Sequence, residues 1–413
     1  MKPCYDAIVV GGGPGGATAA ALLAQAGWRI AVIEKTSFPR RKVCGEFISE
    51  TTWPLLRQLG IADALLEIAG PVVRRVGVYA GDAMVSAVLP APTGRVQEDG
   101  RALGREHLDT LLLQHAAELG ADIWQPWTLA GISSQADGYD CTIAQKRGVQ
   151  TRHLRSWLVI AAHGSWESGA MPTQALRCPP HSGDLLGFKA HFTDSALPVD
   201  LMPLIAFPGG YGGMVHTDGH RVSLSCCIRR DQLARCRRRL PHAGAGHAVL
   251  AHIEASCRGV ALALSDATLD GVWLSAGPLR TGIRTFGKDG IFAVGNAAAE
   301  AHPIVAEGIS MAVQSACLLC EQLITRVDTK RRSAFSGDVL ESIRNGYAAT
   351  WRRNFSRRLH VSALFAHLFM RPVCARLAAG MLERVPQLLT WGARWSGKAD
   401  RLRGAREFDV PQS

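Results

Sequence analysis

A chain of 413 residues, 47% apolar and 20% charged, can bury a large core, so its composition excludes a disordered polymer and leaves room for two or three domains. No stretch approaches the run of about 18 apolar residues that a membrane-spanning helix needs, and eleven cysteines without paired spacing argue for reduced thiols rather than a disulfide framework. The net charge of +11 is concentrated late, where sixteen Lys and Arg between Thr329 and Arg406 face Asp338, Glu341, Glu383 and Asp400. A cytoplasmic location is expected, with the basic C-terminal region available for peripheral contact at the inner membrane face.

The first 46 residues carry the strongest signal. Asp6-Ala-Ile-Val-Val-Gly11-Gly-Gly13-Pro14-Gly-Gly16 reads as a strand and a glycine turn, followed by a helix over Ala17 to Ala26, a strand over Arg29 to Ile33, and then Glu34 and Lys35. Gly11 permits the tight turn, Gly13 lets the backbone approach a pyrophosphate, and Gly16 lets helix and strand pack closely. The helix N-terminus supplies N–H groups for phosphate oxygens, and Glu34 stands where a carboxylate accepts from a ribose hydroxyl. The short apolar run Ala7 to Val10 leads straight into this loop and does not read as a signal peptide.

Beyond residue 70, Val72 to Pro92 alternates like strands broken by Gly77, Gly81 and Pro90, an excursion into a second sheet. Arg101 to Asp109 leads back, a helix follows over Leu108 to Leu119, and Gly120 ends it. Strands are predicted around Asp122 to Ile132, at Tyr139 to Ile143 and at Trp157 to Ala162, the last running into His163-Gly164. From about 170 to 275 the pattern is β-rich, with strands at Phe188–Phe192, Leu204–Phe207, Gly212–Val215 and Arg221–Ile228 and a helix at Ala243–Ser256. Gly290 to Val294 then reads as a strand ending at Gly295-Asn296, and His302, Pro303 and Gly308-Ile309 lead into a long helix, a second device for offering backbone N–H groups to an anion or a ring edge. Cys317-Leu-Leu-Cys320 lies in the apolar pattern of that helix, without a second cysteine or histidine pair nearby, and predicts buried thiols and no metal site.

The segments GGGPGGATAA with Glu34-Lys35, Phe38-Pro-Arg-Arg-Lys-Val-Cys44-Gly45-Glu46, and GNAAAEAHPIVAEGISMA, with Arg105 before the long helix, strongly resemble the FAD-dependent oxidoreductases of the p-hydroxybenzoate hydroxylase fold. Within them the chain is most similar to the geranylgeranyl reductase and flavin halogenase branch. The resemblance implies an α/β protein with a Rossmann-type FAD-binding domain assembled from residues 1–70, 95–168 and 276–328. An inserted β-sheet substrate domain would come from 71–94 and 169–275, and a basic helical region from 329–413. It implies FAD held by Gly11, Gly13, Pro14, Gly16, Glu34, Lys35, Cys44, Arg105, Gly295, Asn296, Pro303, Gly308 and Ile309, with NADPH or NADH, or a separate flavin reductase, as electron source. Two departures stand out: Asn296 replaces the family's Asp, and His163-Gly164 replaces its Asp-Gly, which puts the usual nicotinamide route in doubt. His163 reads as a solvated turn residue.

The same resemblance places Cys44, His302 and Tyr211 around the flavin's reactive edge. Cys44 reads as a small apolar wall, with redox or covalent roles as alternatives. Glu46 is expected to hydrogen-bond backbone or the ribityl chain, and His302 is the candidate proton donor or acceptor. In Phe207-Pro-Gly-Gly-Tyr211-Gly-Gly213-Met-Val-His216 the family's bulky aromatic is Gly213, which opens the pocket to a larger substrate. No equivalent of the halogenases' catalytic lysine and WxWxIP pair is found. The leading expectation is a monooxygenase hydroxylating a small lipophilic aromatic or polyketide-type substrate through a flavin C4a-hydroperoxide. The alternatives are a geranylgeranyl reductase-like enzyme saturating isoprenoid double bonds and a catalytically silent flavoprotein. In the tail, Val361, Leu364, Phe365, Leu368 and Phe369 form a helical apolar stripe after Arg352, Arg353, Arg357 and Arg358 and before Trp391 and Trp395. This reads either as core packing with a solvated basic face or as a lipid-binding surface. No nucleic-acid module accompanies the charge, and none is expected as a partner.

Overall fold

The computed structural model describes residues 4–89, 99–165, 168–174, 179–330, 335–385 and 387–395. Strand Cys4–Val10 lies inside an eight-stranded sheet, parallel to Ile30–Ile33 on one side and to Thr151–Ala161 on the other. Ile291–Ala293 extends it beyond Thr151–Ala161, Asp122–Trp124 beyond Ile30–Ile33, and Trp127–Gln135 with Gly138–Gln145 adds an antiparallel hairpin. The parallel strands Ala7–Val10 and Ile30–Ile33 are buried throughout, as in sheets covered on both faces. Helices Pro14–Gln25, Arg105–Glu118 and Gly308–Arg326 pack beside one another against this sheet.

The chain leaves this layer twice to build a seven-stranded sheet, ordered Thr268–Leu279, Leu185–Thr193, Val222–Arg229, Gly210–His216, Leu201–Phe207, Arg75–Ala80 and Ala83–Val88. One face carries Phe188, Phe192, Leu224 and Ile228 against helices Ala245–Ser256 and Arg258–Ala263. The other carries Val78, Ala206, Tyr211 and Cys227, closed by the long helix Gly337–Phe369 and by Pro372–Arg384.

Several elements differ from the sequence expectation. The stretch Asp122 to Ile132 is two strands, because Pro126 between them cannot donate to a ladder. Helix Arg105–Glu118 starts three residues earlier than predicted. Helix Arg230–Arg239 and strand Thr268–Leu279 were not anticipated, and that strand runs across position 276 within the inserted sheet. In the tail, Phe355, Leu359, Ser362, Ala366 and Phe369 face inward, whereas Leu364 and Leu368 of the predicted stripe are exposed. Arg358 is not on a solvated face: it is buried and donates to Gln314 Oε1 at 3.1 Å. Pro90, Pro92 and the side chains of Trp391 and Trp395 lie outside the described residues. Helix Gly308–Arg326 is long and apolar enough to cross a membrane, but 78% of its most apolar window is buried inside the protein.

Candidate active site

Two cavities follow the open edge between the sheets and share Gly13, Lys42, Val43 and Ala162. The first, between the second glycine loop and the inserted sheet, holds about 210 Å³. The second, beside Gly11, Glu34, Lys35, Trp127 and His163, holds about 480 Å³.

The first loop is built for close approach. A Cβ on Gly16 would lie 1.9 Å from the Gly11 carbonyl oxygen, and one on Gly11, whose φ is +112°, would lie 2.4 Å from Ala162 O. Pro14 opens the following helix, whose N-terminus has no side-chain cap, so its N–H groups are left for a ligand. Arg105 stands beside Gly13, forked onto Asp109 through bonds of 2.6 and 2.7 Å. Burial disfavours its charge, and the Asp109 carboxylate outweighs burial and raises its pKa. Glu34 Oε2 accepts from Gly12 N–H at 2.8 Å and Oε1 from Thr36 N–H at 2.9 Å, so this carboxylate braces the loop as well as lining the cavity. Lys35 has its pKa lowered by burial. Lys42, which lines both cavities, is brought down to about 8, first by burial and then by Arg105 and Arg40.

His163 is not a solvated turn residue. Its Nδ1 is 2.8 Å from Gly164 O and its Nε2 2.8 Å from Thr173 Oγ1, and burial lowers its pKa to about 4, so the ring is neutral.

The second loop begins at Gly295, with φ +56°, whose N–H donates to Ser315 Oγ. Asn296 Nδ2 donates to Glu300 Oε1 at 3.2 Å, while Arg284 holds Glu300 Oε2 at 2.9 Å. An amide suits this position because a carboxylate already sits next to it. Helix Gly308–Arg326 likewise lacks a side-chain cap, and its Ala312 packs against Gly15, so two uncapped N-termini lie side by side. With Pro303, Gly308 and Ile309 lining the first cavity and two bare glycine loops facing it, the residues fit a dinucleotide with a planar ring at one end.

In the first cavity Tyr211 Oη lies 3.1 Å from His302 Nδ1, and His302 Nε2 lies 3.1 Å from Thr281 Oγ1. Burial, then the nearby His367, lowers the His302 pKa to about 4, leaving a neutral imidazole. Burial raises the Tyr211 pKa well above its usual value, so the phenol keeps its proton. A neutral imidazole flanked by two hydroxyls can pass a proton in either direction. Around the pair the walls are mainly apolar, with Met202, Leu204, Met214, Val215, Leu279 and Ile304. Gly213 faces this space, and a Cβ there would meet Pro203 O at 3.3 Å.

Cys44 lines the same cavity and accepts from Glu46 N–H at 3.4 Å. Glu46 itself has φ +64° and is fully buried. Its Oε1 accepts from Arg105 N–H and pairs with Lys189 Nζ, and its Oε2 lies 2.8 Å from His191 Nε2. Burial pushes the carboxyl up, and Lys189 and His191 outweigh this and hold it down at about 2. Thus Glu46 bonds a backbone N–H, as expected, but its main partners are a buried lysine and a buried histidine from the inserted sheet.

Lys189, His191, Thr281, Lys42 and Cys227, which also borders Tyr211, were not singled out from sequence. A Lys and a His two residues apart within the apolar strand Leu185–Thr193 were the available signal, since alternation puts both on one face.

Residues 4–186 match the family model of an FAD binding domain. A rifampicin monooxygenase from Streptomyces venezuelae is 29% identical over 150 residues, covering 36% of this chain and 31% of its own. A digeranylgeranylglycerophospholipid reductase from Thermoplasma volcanium is 32% identical over 167 residues, 39% of each chain. These matches therefore span well under half of either curated relative. Among solved structures, a myxobacterial chondrochloren halogenase superposes with a TM-score of 0.73 over 95% of this chain and 91% of its own, at 18% identity, a likeness of fold.

Proposed function

We propose that the chain, whose residues 4–186 match an FAD binding domain, is a flavin-dependent oxidoreductase and, more specifically, a monooxygenase hydroxylating a lipophilic phenol. The observation that carries this reading is the Tyr211–His302–Thr281 chain of hydrogen bonds in an otherwise apolar cavity. Reduced by NADPH, NADH or a partner reductase, the flavin would supply activated oxygen; the net change is one oxygen atom into the ring, one into water, and two electrons from the donor. Gly11, Gly13, Pro14, Gly16, Glu34 and Arg105 would hold the dinucleotide end, and Cys44, Asn296, Pro303, Gly308 and Ile309 the ring end.

The protein's own residues then manage position and protons. The apolar walls exclude water from the reacting edge and bind an alkylated ring. Tyr211 hydrogen-bonds the substrate hydroxyl, and His302 accepts the Tyr211 proton as the phenol is activated, with Thr281 as the next station. His302 is neutral across the physiological range because its pKa is about 4, so it takes a proton from Tyr211 only as its other nitrogen passes one on toward Thr281.

A second reading rests on the position of the Tyr211 hydroxyl in this apolar cavity, from which a phenol could deliver a proton to carbon, as saturation of an isoprenoid double bond requires. Oxygen uptake by the purified holoprotein with NADPH and NADH, against phenolic lipids and polyprenyl compounds, separates the two. Stoichiometric oxygen consumption with a product one oxygen atom heavier supports hydroxylation. Turnover that improves without oxygen, a product two hydrogens heavier, or a halide-dependent mass gain overturns it.

A further inference from the structure

Helix Pro372–Arg384 is apolar on two opposite sides. Ala375, Ala379 and Leu382 are buried against the inserted sheet, in the same apolar cluster as Tyr211, Cys227 and Ile304. On the other side Val373, Leu377, Met381 and Val385, at successive intervals of four, are 68%, 70%, 56% and 42% exposed. The preceding helix Gly337–Phe369 meets it at 106° and adds exposed Leu364 and Leu368. Scattered exposed apolar residues are ordinary, but a continuous stripe round a helical corner marks an interaction surface. Arg353, Arg371, Arg376 and Arg384 are exposed along the same two helices, and between Trp351 and Val385 the sequence has one acidic residue, Glu383.

We propose that this corner is a monotopic docking surface for a bilayer containing anionic phospholipid. The apolar stripe would enter the acyl boundary while the arginines meet headgroup phosphates. Charge complementarity favours lipid over a second copy of the chain, since an isologous contact would set arginines against arginines. The inner face of the same helix packs in the apolar cluster that includes Tyr211, Cys227 and Ile304 of the first cavity's wall, so a docked corner would hold that cavity one layer of side chains from the lipid, next to a greasy substrate. That last step rests on the proposed function; the docking itself stands on the exposed stripe and its charges.

The test is flotation of the full-length holoprotein with vesicles of phosphatidylcholine alone or mixed with phosphatidylglycerol, measured without turnover. Wild type should float with the anionic vesicles and be released by salt. Removing two cations, Arg376→Ser with Arg384→Ser, should weaken partitioning about thirtyfold. Leu377→Glu with Met381→Glu should abolish it, while flavin absorbance and melting temperature stay unchanged because both positions face outward. The proposal is overturned if wild type stays with the unbound fraction for both vesicle types, if the variants float equally well, or if sedimentation shows a dimer that Leu377→Glu with Met381→Glu splits. Because no reaction is measured, failure of the hydroxylase reading leaves the outcome legible.

Discussion

Tyr211 Oη and His302 Nδ1 stand 3.1 Å apart, one on a strand of the inserted sheet and the other in the second glycine loop, so this hydrogen bond exists only where the two layers meet.

Tyr211→Phe keeps the ring and removes the hydroxyl. It should lower kcat about a hundredfold or more with flavin content unchanged. His302→Gln should cost a similar factor, and the double variant little more than either single one, because the pair acts as a unit. Steady-state kinetics with a substrate identified by the oxygen-uptake screen checks this; additive losses would break the relay.

Gly16→Ala should yield largely colourless protein. The added methyl would fall on the Gly11 carbonyl, and relieving it moves the loop, costing about 1–3 kcal/mol and the geometry of the phosphate site. The ratio of flavin to protein absorbance, with and without added FAD, reads the loss. Gly337, where a Cβ meets nothing within 4 Å and which lines neither cavity, supplies the control: Gly337→Ala should fold and keep its flavin like wild type.

Breaking the buried pair by Lys189→Met should cost about 3–5 kcal/mol, since Glu46 would keep a desolvated charge with less compensation. Adding Glu46→Gln should restore much of that stability. Denaturant unfolding of the four proteins in the cycle measures the coupling. Independent, additive losses would show that the pair is incidental.

Acid should destabilise the fold through the two buried imidazoles. The folded-state pKa values of His163 and His302 are depressed to about 4 from 6.5, so the unfolded chain binds protons first as pH falls. Stability is full above about pH 6.5, declines between 6.5 and 4, and each ring contributes up to ~3 kcal/mol of that loss. Melting temperatures across this window should slope downward for wild type and flatten for His163→Gln. Glu46 adds a further loss below about pH 4.5, as its carboxyl protonates toward 2.

Asn296→Asp should weaken FAD binding rather than improve it. A carboxylate there would face Glu300 at the distance of the present 3.2 Å bond, and Glu300 already has its pKa raised, first by burial. An approximately tenfold weaker cofactor affinity near neutral pH, relieved by adding Glu300→Gln, is the expected titration result.

The fold class was legible because its evidence is local: glycine spacing, an acid after the second strand and a second strand–glycine–helix passage all lie within short windows. The long strand Thr268–Leu279 was not, because its burial never alternates cleanly and Gly271 and Pro278 interrupt it. Helix Arg230–Arg239 escaped notice since most of its residues are polar and only Cys236 is buried. In the cavity, Tyr211, His302 and Cys44 were found through motif position, whereas Thr281 and the Lys189–Glu46–His191 cluster depend on residues far apart in sequence that only docking of the sheets brings together.

Glu46 has a broader consequence for the molecule. It belongs to the turn that carries Cys44 along the cavity wall, yet its charge is balanced by two side chains of strand Leu185–Thr193. A guest that displaced that strand would change the electrostatic setting of the wall that carries Cys44, and thermodynamic reciprocity would then require that loading the cavity alter affinity for the guest. A single buried carboxylate would in this way tie the inserted sheet to the cavity wall.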